Sequence, residues 1–359
     1  MGRWMLCVMM CFAVGVLSMS GAAMGHDEDA GIEMKEREWI KPKALRKGDT
    51  ILFVAPASPM NKQRMERAKA RLEAMGFKTK QASDIWRVNG YLAGSDERRA
   101  QELMDAFTDP EVDAIFPGTG GYGTTRMLDK LDYEVIRANP KMLIGFSDIT
   151  GLHLAIGRHS RLITFHTPNT MYGLGSEGNL SDFSAKYFFR AIMAEQYKEG
   201  KEGYVIELPK KRPEGMPAIR TLHGGKASGR LVGGNLSLVA ATMGTPYEIE
   251  TKGNILYVED VGEKTYRLDR MFSTMKLAGR LDELNGVVLC HFTRAGGDEG
   301  DQSLDEVLDH YFKDLGIPVI AHFSTGHHKY NASLPNGAMV ELDADAQTIR
   351  VLENPVELD

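Results

Sequence analysis

Residues 141–150 decide the fold of this 359-residue chain, and they read Lys141-Met142-Leu143-Ile144-Gly145-Phe146-Ser147-Asp148-Ile149-Thr150. The apolar run 142–146 predicts a short buried strand, and the amphipathic segment 149–156 predicts a helix. Ser147 therefore lies at a turn from strand to helix. Such turns, repeated along a chain, are typical of an α/β fold with a parallel sheet.

Two interpretations of Ser147 follow from this position. In a nucleophile elbow, G-x-S-x-G, the serine is sharply turned and exposed, with the N–H groups of a helix start nearby. Gly145 and Ser147 fit that pattern, but Ile149 replaces the second glycine. A Ser-Asp pair that opens a helix is also an ordinary N-cap. The stretch alone does not decide between a nucleophile and a cap.

Strands and helices alternate on both sides of this stretch. The predicted elements, in order, are strand 51–54, helix 61–75, strand 78–82, helix 96–107, strand 112–116 and, after the central stretch, strand 162–165. This alternation with short loops predicts an α/β domain over residues 47–170, with a parallel sheet and helices on both faces. Ligands in such sheets bind at the carboxyl ends of strands, where loops 55–59 and 118–123, Ser147 and His166 would lie.

Residues 118–123, Gly-Thr-Gly-Gly-Tyr-Gly, form a glycine-rich turn after the third predicted strand. They lack the Gly-Lys-Ser/Thr ending of a P-loop. Gly118, Gly120 and Gly123 fit G-x-G-x-x-G, but a dinucleotide site also needs an acid at the end of the next strand, and Asp148 already opens a helix. The glycines do allow a ligand to approach free N–H donors, as an oxyanion hole requires. A tight turn between strand and helix is the alternative.

The regular pattern is lost over residues 171–225, which we interpret as a linker with one helix at 183–194. A second domain then covers 226–359 and ends in a predicted hairpin. Its predicted elements are helices 236–243, 265–277 and 304–315, strands 254–258, 286–290 and 318–321, and the hairpin strands 338–342 and 348–352.

Two residues of this second domain can act together with Ser147. Glu259 ends an apolar strand, and His327 follows Gly326 in a loop after another strand. A serine nucleophile needs a base within hydrogen-bond reach and an acid that orients the base. Ser147, Glu259 and His327 supply these three types, each at or just past the carboxyl end of a predicted strand. The alternatives are a solvated acid at a strand end and a surface histidine.

Composition and the N-terminus limit the partners and the compartment. A net charge of −6 gives no reason to expect nucleic acid or an anionic membrane surface as a partner, and the sequence has neither H-E-x-x-H nor a Cys/His set with zinc spacing.

Residues 1–25 have the pattern of a signal peptide, with an uncleaved membrane anchor as the alternative, and residues 26–46 follow as a polar tether. Beyond residue 25 the only cysteine is Cys290, in an apolar run, which predicts a buried thiol and no intramolecular disulfide.

Six ordered motifs between Lys43 and the C-terminus resemble the LD-carboxypeptidase family of serine peptidases, which includes muramoyltetrapeptide carboxypeptidases and the microcin C immunity hydrolases. Their number and order make this resemblance far more specific than the elbow alone. The motifs are Gly48-Asp49-Thr50-Ile51 with Ala55-Pro56, Gly120-Gly121-Tyr122-Gly123, Pro140-Lys141 with Gly145-Phe146-Ser147-Asp148-Ile149-Thr150, Gly233-Gly234-Asn235-Leu236, Glu259-Asp260-Val261-Gly262-Glu263 with Tyr266-Arg267-Leu268-Asp269-Arg270, and Gly326-His327 with Asn331, Pro335 and Gly337.

The resemblance implies a fold and a catalytic triad. The family fold is an α/β domain followed by a smaller, β-rich domain of the α+β type, with the triad at the domain interface. The family's nucleophile falls on Ser147, its glutamate on Glu259 and its histidine on His327. Members are commonly homodimers.

The resemblance also implies an activity, which is cleavage of an amide bond between an L- and a D-residue near the C-terminus of a cell-wall peptide, without a metal or an organic cofactor. The N–H groups of Asp148 and of Gly120 or Gly121 would stabilise the oxyanion. The alternatives are an amidase that detoxifies a peptide-nucleotide antibiotic and a non-catalytic protein that binds cell-wall peptides. Thr119 and Thr167 stand where the family usually has arginine and glycine, which leaves the fine specificity open. Many members are cytoplasmic, whereas residues 1–25 predict export, most simply to the periplasm.

Overall fold

The computed structural model describes residues 37–197, 202–209, 212 and 216–358. The predicted signal peptide, 1–25, and the first part of the predicted tether fall outside these residues. In the part of the chain that is described, no helix combines the length and the apolar character needed to cross a bilayer.

The described residues contain fourteen strands and eight α-helices. The strands are β1 Thr50–Val54, β2 Lys78–Gln81, β3 Ala114–Pro117, β4 Met142–Gly145, β5 Thr164–His166, β6 Tyr204–Ile206, β7 Arg220–His223, β8 Lys226–Asn235, β9 Ile255–Val261, β10 Gly286–Thr293, β11 Val319–Ala321, β12 Leu334–Asn336, β13 Met339–Asp343 and β14 Thr348–Val351. The helices are α1 Lys62–Ala74, α2 Asp96–Thr108, α3 Tyr133–Ala138, α4 Thr150–Ser160, α5 Asp182–Ile192, α6 Leu236–Ala241, α7 Thr265–Leu277 and α8 Leu304–Phe312. The remaining helical turns are the 3₁₀ turns Thr124–Lys130, Ser147–Ile149 and Ala194–Gln196 and the π turn Thr170–Leu174.

The first sheet has the strand order β12-β5-β4-β3-β1-β2. Strands β1 to β5 are parallel, as the alternation predicts, and β12 is antiparallel to β5. Successive residues of β1 point to opposite faces. Ile51 and Phe53 belong to the same apolar cluster as α1, whereas Val54 belongs to the cluster that contains α2 and α4. Helices therefore cover both faces of this sheet, and the predicted α/β class is confirmed.

The second sheet has the order β6-β14-β13-β8-β9-β10-β11-β7, with β8 to β11 parallel and the outer strands antiparallel. One face packs against α6, α7 and α8 through residues such as Val258 and Leu289. The other face carries Tyr257 and Cys290, which belong to the same apolar cluster as Phe53 of the first sheet. The two sheets therefore share one core.

Residues 171–225, predicted as a linker, contain the predicted helix as α5 and also contribute β6 and β7 to the two edges of the second sheet. The C-terminal region in turn sends β12 to the first sheet, where Leu334 pairs with His166. Sequence analysis missed β12, because a three-residue strand that contains Pro335 shows no alternation. An edge strand tolerates this proline because one side of the strand has no pairing partner.

Two predicted helix starts are confirmed in atomic detail. The Asn61 side chain accepts a hydrogen bond from the N–H of Arg64 at 3.0 Å, and Ser95 accepts one from the N–H of Arg98 at 3.2 Å. Gly76, which directly follows the predicted end of α1, has a φ of 96°, in the left-handed region that favours glycine. These caps fix where α1 and α2 begin, and the loops before both helices lie at the carboxyl edge of the first sheet.

Candidate active site

Ser147 lies at the sharp turn between β4 and α4. Its φ of 65° falls in the left-handed region, which is strained for a residue with a side chain. Neither the 3₁₀ turn that contains Ser147 nor α4 has a side-chain cap hydrogen bond, so the Ser147 hydroxyl does not act as an N-cap. The geometry therefore favours the nucleophile elbow over the cap.

The glycine-rich turn lies directly against Ser147. A Cβ built on Gly120 would stand 2.8 Å from Ser147 Cβ and 3.0 Å from the backbone nitrogen of Asp148, so no larger residue fits without displacement. Among the described residues, no backbone acceptor receives a hydrogen bond from the N–H groups of Gly120, Gly121 or Asp148. Gly120 and Asp148 therefore lie beside the candidate nucleophile with free N–H donors, and Gly121 follows Gly120 along the same turn, as stabilisation of an oxyanion requires.

A buried arginine holds the loops at this edge. Arg99 of α2 is fully buried, and its guanidinium donates hydrogen bonds to the carbonyls of Pro56 and Gly123, the latter at 2.8 Å. Ser58 adds a second link, because its N–H donates to the Gly120 carbonyl at 3.2 Å. Sequence analysis did not single out Arg99, since an arginine on a charged amphipathic helix predicts a solvated side chain.

Asp148, which follows Ser147, carries an almost fully buried carboxyl group. Its Oδ2 accepts a hydrogen bond from the N–H of Thr124 at 2.8 Å, and the Thr124 hydroxyl donates to the Asp148 carbonyl at 2.6 Å. Burial raises the pKa of Asp148, and the hydrogen bonds from Thr124 oppose that rise. The side chain of Asp148 thus anchors the elbow to the turn at Thr124, while its N–H stays available to a ligand.

Glu259 and His327 form a hydrogen-bonded pair in which the glutamate is buried and the histidine is partly exposed. His327 Nδ1 lies 2.6 Å from Glu259 Oε2, and the Glu259 side chain is fully buried. Glu259 lies inside β9, which runs on to Val261, rather than at the end of the strand as predicted. The alternative of a solvated acid is therefore wrong. Gly326 permits the approach, because a Cβ there would stand 2.7 Å from Glu259 Oε2.

The pair sets the protonation of His327. Burial lowers the pKa of His327, but the charge and the hydrogen bond of Glu259, with a smaller contribution from the charge of Asp260, raise it, and the pKa lies above its ordinary value of 6.5. Since the Glu259 carboxylate accepts from Nδ1, the Nε2 atom is the nitrogen left free to take a proton. Asn235 adds a weaker contact, with its Nδ2 at 3.4 Å from Glu259 Oε1.

Phe146 connects the pair to the elbow. Its ring lies 4.7 Å from the His327 ring, centroid to centroid, and the next residue along the chain is Ser147. The adjacent His328 instead stacks on His291 at 4.8 Å, so the two histidines have different neighbours. No hydrogen bond joins Ser147 Oγ to His327 in the described part of the chain, and such contacts often tighten only when substrate binds.

A cleft of about 590 Å³ opens beside His327. Its walls include Phe146, Pro168 and Tyr172 from the first half of the chain and Arg294, His327 and Asn331 from the second. Ser147, Gly120 and Gly121 are not among the described residues that line it. The cleft therefore gives a ligand access to the histidine. Ser147 follows Phe146, a residue of the cleft wall, directly in the sequence.

The other residues that sequence analysis singled out are buried. His166 is fully buried between the rings of Phe146 and Tyr257, and Thr119 and Thr167 are also buried. Cys290 is a free thiol whose pKa is raised by burial, so the predicted burial of its side chain is confirmed. Within the described residues, no group of three or more His, Cys, Asp or Glu side chains is arranged to hold a metal ion.

Comparisons with known proteins place these residues in a family context. The model of the LD-carboxypeptidase N-terminal domain matches residues 51–167, and that of the LD-carboxypeptidase C-terminal domain matches residues 228–342. A "probable murein peptide carboxypeptidase" of Bacillus subtilis is 37% identical over 312 residues, which cover 86% of this chain and 93% of that protein. A murein tetrapeptide carboxypeptidase of Pseudomonas aeruginosa is 32% identical over 301 residues, which cover 82% of this chain and 93% of that protein. The solved structure of MccF in complex with glutamyl sulfamoyl guanosine has a TM-score of 0.81 at 27% identity. The match covers 88% of this chain and 99% of the MccF chain.

Proposed function

The chain belongs to the LD-carboxypeptidase family of peptidases, and from this membership we propose that it is a serine carboxypeptidase that releases the last residue of a murein tetrapeptide. The substrate bond would be the amide between an L- and a D-residue, as the resemblance of the sequence motifs implies. The observation that carries the proposal is the hydrogen bond from His327 to the buried Glu259, beside an elbow on which Ser147 is held in a strained conformation.

The proposed reaction begins with attack of Ser147 Oγ on the carbonyl carbon of the scissile amide. His327 Nε2 takes the hydroxyl proton as general base and then gives it to the leaving amine. Glu259 keeps the proton of His327 on Nδ1 and stabilises the imidazolium that forms. The N–H groups of Asp148 and of Gly120 or Gly121 would stabilise the oxyanion, and water would then hydrolyse the acyl-enzyme.

The serine is tested by the substitution Ser147→Ala. If Ser147 is acylated, turnover of a defined murein tetrapeptide falls roughly 10³-fold or more, while the fold is kept. Loss of an ordinary cap would instead cost about 1 kcal/mol of stability and leave turnover nearly unchanged. Release of the terminal residue, followed by chromatography, measures the effect. A folded variant with near-normal turnover would rule out this mechanism.

A second candidate function keeps the same site and changes the substrate. The similarity to MccF, solved with glutamyl sulfamoyl guanosine, favours an amidase that acts on a peptide-nucleotide compound. The purified enzyme should be assayed in parallel on a murein tetrapeptide and on an aminoacyl sulfamoyl adenosine. Turnover of the first substrate alone supports the carboxypeptidase, and turnover of the second alone supports the amidase. Turnover of neither supports a protein that only binds cell-wall peptides.

We further propose that the protein is exported after removal of residues 1–25, because their composition has the pattern of a signal peptide. Mass spectrometry of the protein from its native host should give a mature N-terminus between residues 23 and 27. An intact N-terminal segment on protein recovered from the cytoplasm would contradict export. The homodimer implied by the resemblance also stays a prediction, which light scattering of the purified protein tests.

A further inference from the structure

The cleft beside His327 has positive charge on a protein whose net charge is negative. Two cationic side chains line it, those of Arg294 and Lys329, and none of the described residues in its wall is Asp or Glu. The whole chain carries a net charge of −6. A cleft that is lined by charges of one sign attracts ligands of the opposite charge. The charge of the cleft therefore favours an anionic group on the ligand, close to the candidate catalytic histidine.

Arg294 has an unusual backbone conformation at this position. It follows β10 directly and has a φ of 56°, in the left-handed region that a residue with a side chain rarely adopts. Among the described residues only five non-glycine residues have a positive φ, and Ser147 is another of them. Strain of this kind is retained where the side chain must be aimed, which is common at functional sites.

The strand pairing puts Arg294 beside the catalytic pair. Thr293 of β10 pairs with Val261 of β9, two residues after Glu259. The Arg294 side chain is exposed, and it forms neither a hydrogen bond nor an ion pair with any described residue. It borders the cleft together with His327, and also a smaller cavity of about 150 Å³ lined by His291 and His328. An unpaired guanidinium so close to the candidate base is free to bind a ligand.

We propose that Arg294 binds the C-terminal carboxylate of the substrate and thereby restricts the enzyme to removal of the last residue. This inference rests on the proposed function, since only a carboxypeptidase requires a free carboxylate next to the scissile bond. In such a substrate the carboxylate is attached to the Cα of the leaving residue, a few bonds from the attacked carbonyl. A planar guanidinium matches a carboxylate through two parallel hydrogen bonds, which the Lys329 ammonium cannot form.

The test compares one murein tetrapeptide with a free C-terminal carboxylate and the same peptide as its C-terminal carboxamide. Wild-type enzyme should prefer the free acid by about 10- to 100-fold in kcat/KM, the range that a charge-assisted hydrogen bond supports. Arg294→Gln should lower kcat/KM for the acid to near the value for the amide, and Arg294→Lys should keep part of the preference. Lys329→Gln is the matched control, because it removes the other cation of the cleft, and it should keep the preference.

Binding measured without turnover separates this inference from the catalytic proposal. In the Ser147→Ala background, calorimetry should show that Arg294→Gln weakens binding of the acid, by a factor similar to that in kcat/KM, and leaves binding of the amide unchanged. An undiminished preference for the acid in Arg294→Gln, or its loss in Lys329→Gln instead, overturns the assignment to Arg294. Turnover of neither peptide by the wild type overturns the proposed function, and the assignment falls with it.

Discussion

At the scale of single residues, catalysis would depend on how Glu259 controls the protonation of His327. Only neutral His327 can accept the serine proton, so activity should rise with pH through the pKa of His327, which Glu259 raises above 6.5. Glu259→Gln removes the charge, so burial then dominates and lowers that pKa. We expect the acidic limb of the kcat/KM profile to move to lower pH, and the plateau to fall on the order of 10³-fold. Steady-state assays from pH 5 to 9 measure both.

The control for this substitution is Glu263→Gln. Glu263 lies four residues further on and pairs with Arg267, so its loss removes the same charge from the same region without touching His327. Its pH profile should match that of the wild type. An acidic limb that stays in place in Glu259→Gln, or that moves equally in both variants, would contradict the role of Glu259.

Some residues of the site could be predicted from the sequence, and others could not. Ser147, Glu259 and His327 follow predicted strands, and a fixed order of motifs surrounds them, so their types and positions could be found. Arg99 could not, because its hydrogen bonds to Pro56 and Gly123 join parts of the chain that lie 43 and 24 residues away. The sequence around Arg99 shows only an amphipathic helix. Arg294 was missed for a similar reason, since backbone strain is not visible in residue type.

At the scale of elements, β12 determines where His327 lies. The loop 322–333, which carries His327, starts after β11 in the second sheet and ends at β12 in the first. The short strand β12 therefore holds the histidine loop against the sheet on which Ser147 sits. Periodicity located several elements to within a few residues, among them α7 and the final hairpin, but it missed β8, the ten-residue strand Lys226–Asn235. It could not locate β12, whose pairing with β5 is set by tertiary contacts rather than by local pattern.

The importance of β12 can be tested with Leu334→Ala. Leu334 is fully buried in the core shared by the two sheets, so the truncation should lower the free energy of unfolding by roughly 3 kcal/mol. Because the same strand positions the His327 loop, kcat should also fall at a temperature where the variant is still folded. Denaturant unfolding and steady-state kinetics give the two values.

Leu352→Ala provides the matched control for that variant. Leu352 is 38% exposed, so the same truncation there should change stability by less than about 1 kcal/mol and leave kcat unchanged. If Leu334→Ala loses stability but keeps the kcat of the wild type while folded, β12 contributes only to the core and does not position the histidine.

At the scale of the whole molecule, the two sheets share one apolar cluster, in addition to a separate cluster that each sheet forms with helices on its other face. Residues 47–170 and 226–359 were predicted as two domains joined by a linker, and the family models also divide the chain into an N-terminal and a C-terminal part. One apolar cluster nevertheless contains Phe53 of the first sheet and Tyr257 of the second. The sequence predicted β1 to β5 of the first sheet and five strands of the second, but it did not predict β6, β7, β8 or β12. A strand pattern also does not show which faces of two sheets meet.

This shared core predicts that residues 38–358 unfold as one cooperative unit, although chains of this length often unfold domain by domain. Separation of the sheets would expose the faces that carry Phe53 and Tyr257 to water, so neither sheet should remain folded alone. In a guanidinium titration, far-UV circular dichroism, tryptophan fluorescence and residual peptidase activity should therefore decrease in one coincident transition. Two separate transitions, with activity lost in the first and half of the helical signal retained, would show that the sheets are independent domains. In that case the Ser147 elbow and the Glu259–His327 pair would depend on docking of preformed domains rather than on a common core.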